Sequence, residues 1–232
     1  DYPTAMNGLQ VGGGQDVTTV ATAVDASQAS IDGATALEAD LLIVHHGLFW
    51  DGLKPIVGRR RRRLAALIEA EMALYSCHLP LDAHEEIGNC ALLAKALGLE
   101  LTGRLGAHGG VAIGRWGLLP SPVSPAEFDD LVAGVVGGHV HSIAGGPDRI
   151  QRVGVLTGGG AGFIEEAARL GLDAYVTGEG PHHAHFDAIE CRIHVLFAGH
   201  YATETFGVRA LGEHLAERFG LTSHFLDQPT GL

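Results

Sequence analysis

Short apolar runs alternate with longer amphipathic stretches along most of the chain. The runs have the length of buried strands, and the stretches between them have helical periodicity. Strands are predicted at VTTVATAVDAS, ADLLIVHH, MALYSCH, residues 111–118, RVGVLTGGG, LDAYVTG and HVLFAGH, and helices are predicted to about residue 38 and at 59–70, 84–97, 125–136 and 205–219.

This order of elements contains an internal repeat. AVDAS and ADLLIVHHG match VLTGGG and LDAYVTGEG, and YSCHLPLD matches FAGHYATE. Repeated βαβ units imply sheets with helices outside them. The sequence therefore predicts an α/β fold of two repeat-related halves, 1–100 and 151–232, around a shared metal cleft. An α+β segment at 101–150 is inserted between them, and the whole forms one compact unit.

Histidine and carboxylate side chains follow three of the predicted strands. The spacing His-x-x-x-carboxylate occurs twice, and two adjacent histidines end a third strand: His78 with Asp82, His200 with Glu204, and His45 with His46. Ligands of open α/β sheets bind at the carboxyl ends of strands. Imidazole and carboxylate groups suit Zn, Mn, Fe, Co and Ni alike, so the pattern indicates a divalent metal site without naming the metal.

The spacing also suggests how many ions are bound. Neighbouring residues of a strand point to opposite faces, so His45 and His46 are expected to serve two adjacent ions rather than to chelate one. His-x-x-x-Glu at a helix start puts both side chains on one face. Paired ions about 3.5–4 Å apart are typical of metal-assisted hydrolases. The alternative is that each histidine is a hydrogen-bonded structural residue.

Composition excludes some classes of protein. The formal net charge of −12 argues against a general binder of nucleic acid or anionic membranes. No apolar run approaches the length of about 18 residues that predicts a membrane span. Three cysteines without C-x-x-C spacing, Cys77, Cys90 and Cys191, indicate reduced thiols of a cytoplasmic protein. The chain begins at Asp1 in mid-pattern, so a short N-terminal piece is expected to precede it.

Five segments together resemble a known family. They are NGLQVG at 7–12, LIVHHGLFW at 42–50, SCHLPLDAH at 76–84, YVTGEGPHH at 175–183 and AGHYATE at 198–204. They look like the dinuclear metal-centre, toroidal-hexamer proteins, which include YbgI-like and Ngg-interacting-factor-three-like proteins, some described as type 2 GTP cyclohydrolase I homologues. The resemblance implies two divalent ions per subunit and a homohexamer. It also implies five metal ligands, with Glu204 bridging: His45, His46, Asp82, His200 and Glu204.

Residues near these ligands are assigned other roles. His78 is expected to contact substrate or to support the ligands, and Glu179, which stands at the repeat position of His46, is an acid/base candidate. His182 and His183 are candidate substrate-binding residues, with a separate metal site there as an alternative.

Three other features have competing interpretations. TGGGAG at 157–162 is either a tight strand-to-helix turn or a phosphate cradle. The five arginines at 59–63 are solvated or lie at a subunit contact, unless some line a cavity and attract phosphorylated substrates. His139 and His141, beside Gly-Gly, are expected to face solvent.

Three function classes remain open. The first is a metal-dependent hydrolase of a nucleotide-like or phosphorylated small molecule, cyclohydrolase-like by resemblance. The second is a metal storage or delivery protein, and the third is a non-catalytic scaffold or regulatory hexamer. The further polar residues beside the ligands favour the hydrolase, because storage does not require them.

Overall fold

The structure is a computed structural model that describes residues 1–14, 16–50, 52 and 54–232. In chain order its elements are β1 (Gly8–Val11), β2 (Thr19–Asp25), α1 (Gln28–Ala36), β3 (Leu41–His46), α2 (Gly58–Glu69), β4 (Ala73–Ser76), α3 (Leu79–Asp82), α4 (Asn89–Ala96), β5 (Glu100–His108), β6 (Val111–Val123), α5 (Pro125–Val136), β7 (His141–Ile143), β8 (Ile150–Leu156), α6 (Ile164–Arg169), β9 (Ala174–Thr177), α7 (Ala184–Glu190), β10 (His194–Phe197), α8 (His200–Phe219) and β11 (Thr222–Phe225). A 3-10 turn, Ala161–Phe163, precedes α6. The mixed α/β class predicted from the sequence is confirmed.

The chain divides into two units. The first comprises Asp1–Leu81 and Gly207–Gln228, and the second comprises Asp82–Phe206 and Pro229–Leu232. These boundaries differ from the three segments predicted from the sequence. The second unit contains all of β5 to β10, so the segment 101–150 shares a sheet with the strands that follow it.

A five-stranded sheet forms the centre of the first unit, in the order β1-β4-β3-β2-β11. The strands β2, β3, β4 and β11 run parallel, and β1 pairs antiparallel with β4. The interiors of β2 and β3 are buried throughout, as expected of parallel strands that are covered on both faces. Ile31 of α1 and Leu67 of α2 pack into one core with Leu42 of β3.

A six-stranded sheet forms the centre of the second unit, in the order β5-β6-β8-β9-β10-β7. Only β8, β9 and β10 are mutually parallel. Along β9, Ala174 and Val176 belong to one core cluster and Tyr175 to another, so the two faces of the sheet are buried separately. The predicted repeat is confirmed, since β2-α1-β3-α2-β4 and β8-α6-β9-α7-β10 have the same parallel topology.

Two predicted helix starts differ from the structure, and four of its strands were not predicted. The helix predicted from residue 84 begins at Asn89, because the ring of His84 accepts backbone N–H bonds from Glu86 and Ile87 and forms a turn. The helix predicted from 205 begins at His200. The short strands β1, β7 and β11 were not predicted from the sequence. Neither was β5, which joins β6 through two glycines with φ of +56° and +85°, the backbone of a tight hairpin.

Membrane-spanning helices are absent from the described part of the chain, where no helix is both long enough and apolar enough.

Candidate metal centre

Three imidazole rings gather in the first unit, at the carboxyl ends of β3 and β4. His45 and His46 are the last two residues of β3, and His78 follows β4 by two residues. The ring centroid of His45 lies 4.9 Å from that of His46 and 4.8 Å from that of His78. One nitrogen from each ring lies within 4.8 Å of the other two, so the group can hold a metal ion. The parallel register of β3 and β4 produces this placement.

Each of these rings presents its Nδ1 to an oxygen acceptor. His45 Nδ1 lies 3.0 Å from the Cys77 carbonyl oxygen, and His46 Nδ1 lies 3.0 Å from Oδ1 of Asp25. A carbonyl or carboxylate oxygen can only accept, so Nδ1 carries the proton in both rings. Nε2 is then the nitrogen with a lone pair, as metal-binding histidines require.

His78 is held in the same manner, and an indole ring lies against it. Its Nδ1 is 3.1 Å from Oδ1 of Asp1, and its backbone N–H donates to Oδ1 of Asn7 at 2.8 Å. The ring of Trp50 packs edge-on against His78 at 4.2 Å between centroids. His78 is 7% exposed, so this wall limits water at the cluster.

A histidine and two carboxylates form a second group of donors, in the second unit. His200 and Glu204 occupy the first turn of α8, with His200 Nε2 3.2 Å from Oε2 of Glu204. On the other side of the ring, Nδ1 lies 2.9 Å from Oε1 of Glu179. Glu204 is 3% exposed.

This arrangement raises the pKa of His200 to about 9. The hydrogen bond to Glu204 is the largest cause, burial opposes it, and Glu179 adds to it. Imidazole ligates a metal only when the ligating nitrogen is deprotonated, so a divalent ion held by His200 and Glu204 would replace this proton. The donor set fits a divalent ion.

Gly158, in the turn after β8, allows the backbone to lie against this pair. A Cβ at Gly158 would lie 3.2 Å from Nε2 of His200 and even closer to Oε1 of Glu204. Its φ of +65° also favours glycine. Glycine at this position leaves room for the two donor side chains.

Asp82 lies in a buried polar cluster of the second unit. It is the last residue of α3 and is 3% exposed. Its Oδ1 accepts hydrogen bonds from Nδ2 of Asn89 at 2.8 Å and from Oγ1 of Thr157 at 3.1 Å. The carboxylate is therefore fixed in orientation.

The sequence profile of the family described as Duf34/NIF3 (NGG1p interacting factor 3) matches residues 3–230. The chain belongs to this family. The resemblance drawn from the HHG and GHYATE segments is therefore confirmed.

Members of the Duf34/NIF3 family with curated names and solved structures are similar along the whole chain. A protein of Halobacterium salinarum named GTP cyclohydrolase 1 type 2 homolog is 47% identical, and the match covers 100% of this chain and 93% of that protein. The solved structure titled "protein ybgI, unknown function" has a TM-score of 0.94 and 42% identity, covering 100% of this chain and 93% of that one. TTHA1606 from Thermus thermophilus has a TM-score of 0.89 and 41% identity, covering 100% and 92%.

The structure brings some of the predicted site residues together within each unit. The rings of His45, His46 and His78 lie side by side in one group, and the expectation that His45 and His46 serve separate ions stays a prediction. His78 was kept out of the ligand set, and the structure places it among the metal-capable side chains. Glu179 contacts His200, and its role as an acid/base residue stays a prediction.

His182 and His183 lie on the surface near α7. Both are exposed, and His183 is the residue that precedes the helix. Within the described residues, the histidines of GEGPHHAH form no group of three metal-capable atoms, which gives no support to a separate metal site there. Their role in binding substrate stays a prediction.

The phosphate cradle proposed for TGGGAG is disfavoured. The N–H of Gly158 donates to Oγ1 of Thr203 at 3.1 Å, and that of Gly160 donates to Oγ1 of Thr177 at 3.0 Å. These donors are used inside the protein, so the segment is a tight turn, the other interpretation of the sequence.

The arginines at 59–63 spread around α2, as expected. Arg60 donates to the carbonyl of Leu48 at 3.2 Å. Arg63 is half-buried, and burial is the main cause that lowers its pKa, with repulsion from Arg59 next. His139 and His141 are exposed, and all three cysteines are reduced thiols, in agreement with the sequence analysis.

Gly158→Ala should lower the free energy of unfolding by about 1–2 kcal/mol or more, because an alanine in the left-handed region costs that much before any clash. The new Cβ also pushes against Glu204 and His200. Gly162→Ala is the matched control, since a methyl group at Gly162 would meet no atom within 4 Å beyond its chain neighbours and its φ is not positive. Urea unfolding in the presence of a chelator measures both, and equal stability of the two variants would contradict the close approach.

Proposed function

We propose that this chain is a metal-dependent hydrolase that binds two divalent ions and acts on a nucleotide-like or phosphorylated small molecule. The chain belongs to Duf34/NIF3, and its curated relatives carry the name GTP cyclohydrolase 1 type 2 homolog. Buried histidine and glutamate side chains that could hold a metal ion are present. The ligands we propose are those that the resemblance implies: His45, His46, Asp82, His200 and Glu204.

The observation that carries the proposal is the chemistry of the donors. The rings of the proposed ligands His45 and His46 converge with that of His78 within 4.8 Å, and Nδ1 of each ring faces an oxygen acceptor, so Nε2 is the nitrogen with a lone pair. A buried carboxylate, Glu204, lies 3.2 Å from the ring of His200. A purely structural cluster has no need of three rings with the same tautomer.

When bound, paired divalent ions polarise the scissile group and lower the pKa of a water molecule toward neutrality. The chain's own residues would orient and protect that site. Trp50 and the burial of His45 and His78 limit water on one side. Glu179 hydrogen-bonds to Nδ1 of His200, and its side chain is 55% exposed, so it can also exchange a proton with solvent.

A cavity in the second unit supports an enzyme rather than a storage protein. It has a volume of about 420 Å³, and Gly180, the residue that follows Glu179 in the chain, is part of its wall. Its walls are His141, Ile143, Gly180, Pro181, His182, His185 and Phe197. The rings of His141 and Phe197 are parallel within 4°, at 6.2 Å between centroids. Aromatic and imidazole rings favour a planar heteroaromatic group, and a site that only stores metal has no use for them.

The homohexamer and the cytoplasmic location expected from the sequence stay predictions. Light scattering of the purified protein would test the hexamer.

Protein purified without chelator or a metal-affinity column should contain about two equivalents of divalent metal per chain, as paired-metal hydrolases do. Glu204→Gln removes a charged donor and should weaken metal binding about 10- to 100-fold or more, the range seen for groups that only support a ligand. Mass spectrometry of the metal content and competition with a chelating dye measure both.

Glu213→Gln is the matched control, because Glu213 is an exposed glutamate of the same helix. A metal content near zero, with no uptake on reconstitution, would overturn the proposed function. Glu204→Gln with unchanged affinity would remove Glu204 from the ligand set.

His141→Ala should raise the KM for nucleotide hydrolysis about fivefold or more with little change in kcat, since a stacking contact away from the reacting bond contributes about 1–3 kcal/mol of binding. Steady-state kinetics with GTP as the first substrate, in the presence of the native metal, measures this. His139→Ala is the control, being an exposed histidine that does not line the cavity. Equal KM values for the two variants would show that the cavity does not bind substrate.

A further inference from the structure

A polar cluster lies at the edge of a hydrophobic core in the second unit. Asp82, Asn89 and Thr157 are 3%, 0% and 4% exposed, and the thiol of Cys90 is fully buried beside them. Leu93 and Val155, close to them in sequence, belong to the core. Burial of polar groups costs free energy unless their hydrogen bonds are made. The burial of these polar groups therefore requires a structural or a functional explanation.

The donor and the acceptor of each hydrogen bond in the cluster can be assigned. A carboxylate only accepts, so Nδ2 of Asn89 and the hydroxyl of Thr157 both donate to Oδ1 of Asp82. With the hydroxyl proton of Thr157 used in this way, the thiol of Cys90 donates to Oγ1 of Thr157, at 3.4 Å between sulfur and oxygen. Burial raises the pKa of Cys90 to about 12, so this thiol keeps its proton.

Both donors to Asp82 bind the same oxygen. Two hydrogen bonds to Oδ1 fix the torsion of the carboxylate and therefore the direction in which Oδ2 points. Carboxylates that ligate metal ions are usually held by hydrogen bonds of this kind.

Thr157 also begins the turn that approaches His200 and Glu204. The adjacent residue, Gly158, donates its N–H to Oγ1 of Thr203 and presents its Cα to the donor pair. Its carbonyl accepts from the N–H groups of Gly178 and Glu179, at 2.8 and 3.1 Å. A single turn thus holds Asp82 through one side chain and borders the His200–Glu204 pair through the next backbone unit.

We propose that Asn89 and Thr157 are positioning residues that orient Asp82 for metal binding, and that the turn 157–160 keeps this carboxylate in register with His200 and Glu204. This inference rests on the proposed function and deepens it. It gives the glycine-rich turn a role in place of a phosphate cradle.

The test compares three variants of buried threonines in metal-stripped protein. Thr157→Val removes the hydroxyl at nearly constant volume, and Thr157→Ser keeps it. Thr22→Val is the matched control, because Thr22 is a threonine of similar burial, 1% exposed, that lies on β2 and outside the turn. Chelator competition with Zn²⁺ and Mn²⁺ gives the dissociation constants, and urea unfolding without metal gives the stability.

Thr157→Val should weaken the affinity for one of the two metal ions about 10- to 100-fold, whereas Thr157→Ser and Thr22→Val should bind both ions as tightly as wild type. The effect of Thr157→Val should vanish in an Asp82→Asn background, because the hydroxyl acts only through that carboxylate. If Thr157→Val does not fold, Thr157→Ala removes the same hydroxyl without adding a methyl group.

Two results would overturn the inference. In the first, Thr157→Val lowers the stability of the metal-free protein but leaves both metal affinities unchanged, which is the signature of a structural role. In the second, Asp82→Asn binds metal like wild type while Glu204→Gln does not, so the proposed function stands without Asp82. A wild-type protein that binds neither ion would overturn the proposed function together with the inference.

Discussion

The parallel alignment of neighbouring strands is the constraint on which the histidine cluster depends. In the first unit, β2, β3 and β4 run parallel and in register, and Asp25 pairs with His46 across β2 and β3. The polar side chains at the carboxyl ends of these strands therefore lie at one edge of the sheet. Clustering polar rings at the strand ends costs free energy. Burial of the apolar residues in the interiors of these strands offsets that cost.

In the second unit, two glycines that border His200 shape the site because they have no side chain. Gly158 and Gly178 both border His200, and a Cβ at Gly178 would lie 2.8 Å from the His200 Cα. The turn after β8 and the loop after β9 thus approach the start of α8 more closely than any other residue allows. The backbone of these two glycines borders His200 and Glu204. Because backbone atoms have no rotamers to change, they restrict the positions of these two donor side chains before any ion binds.

The apolar runs predicted most of the parallel strands, and the polar residues at their ends predicted many of the candidate metal ligands. His45, His46 and His200 were found because each ends or follows a continuous apolar strand. The hydrogen-bond partners were missed because they depend on pairing that no local pattern encodes. Thr157 is 75 residues from Asp82, and Asp25 meets His46 only through the register of β2 and β3. His84 forms a turn that delays the start of the helix to Asn89, and periodicity alone does not reveal this turn.

The hydrogen bonds of the glycine turn restrict how an anionic substrate can bind. A phosphate cradle needs several backbone N–H groups that point outward at a helix start. Here the N–H groups of Gly158 and Gly160 point to threonine hydroxyls, and the 3-10 turn that follows is only three residues long. Negative charge on a substrate would then be met by bound cations or by imidazole donors such as His141 and His182, which line the cavity of the second unit. In a chain with a net charge of −12, bound metal ions would serve for electrostatic attraction as well as for chemistry.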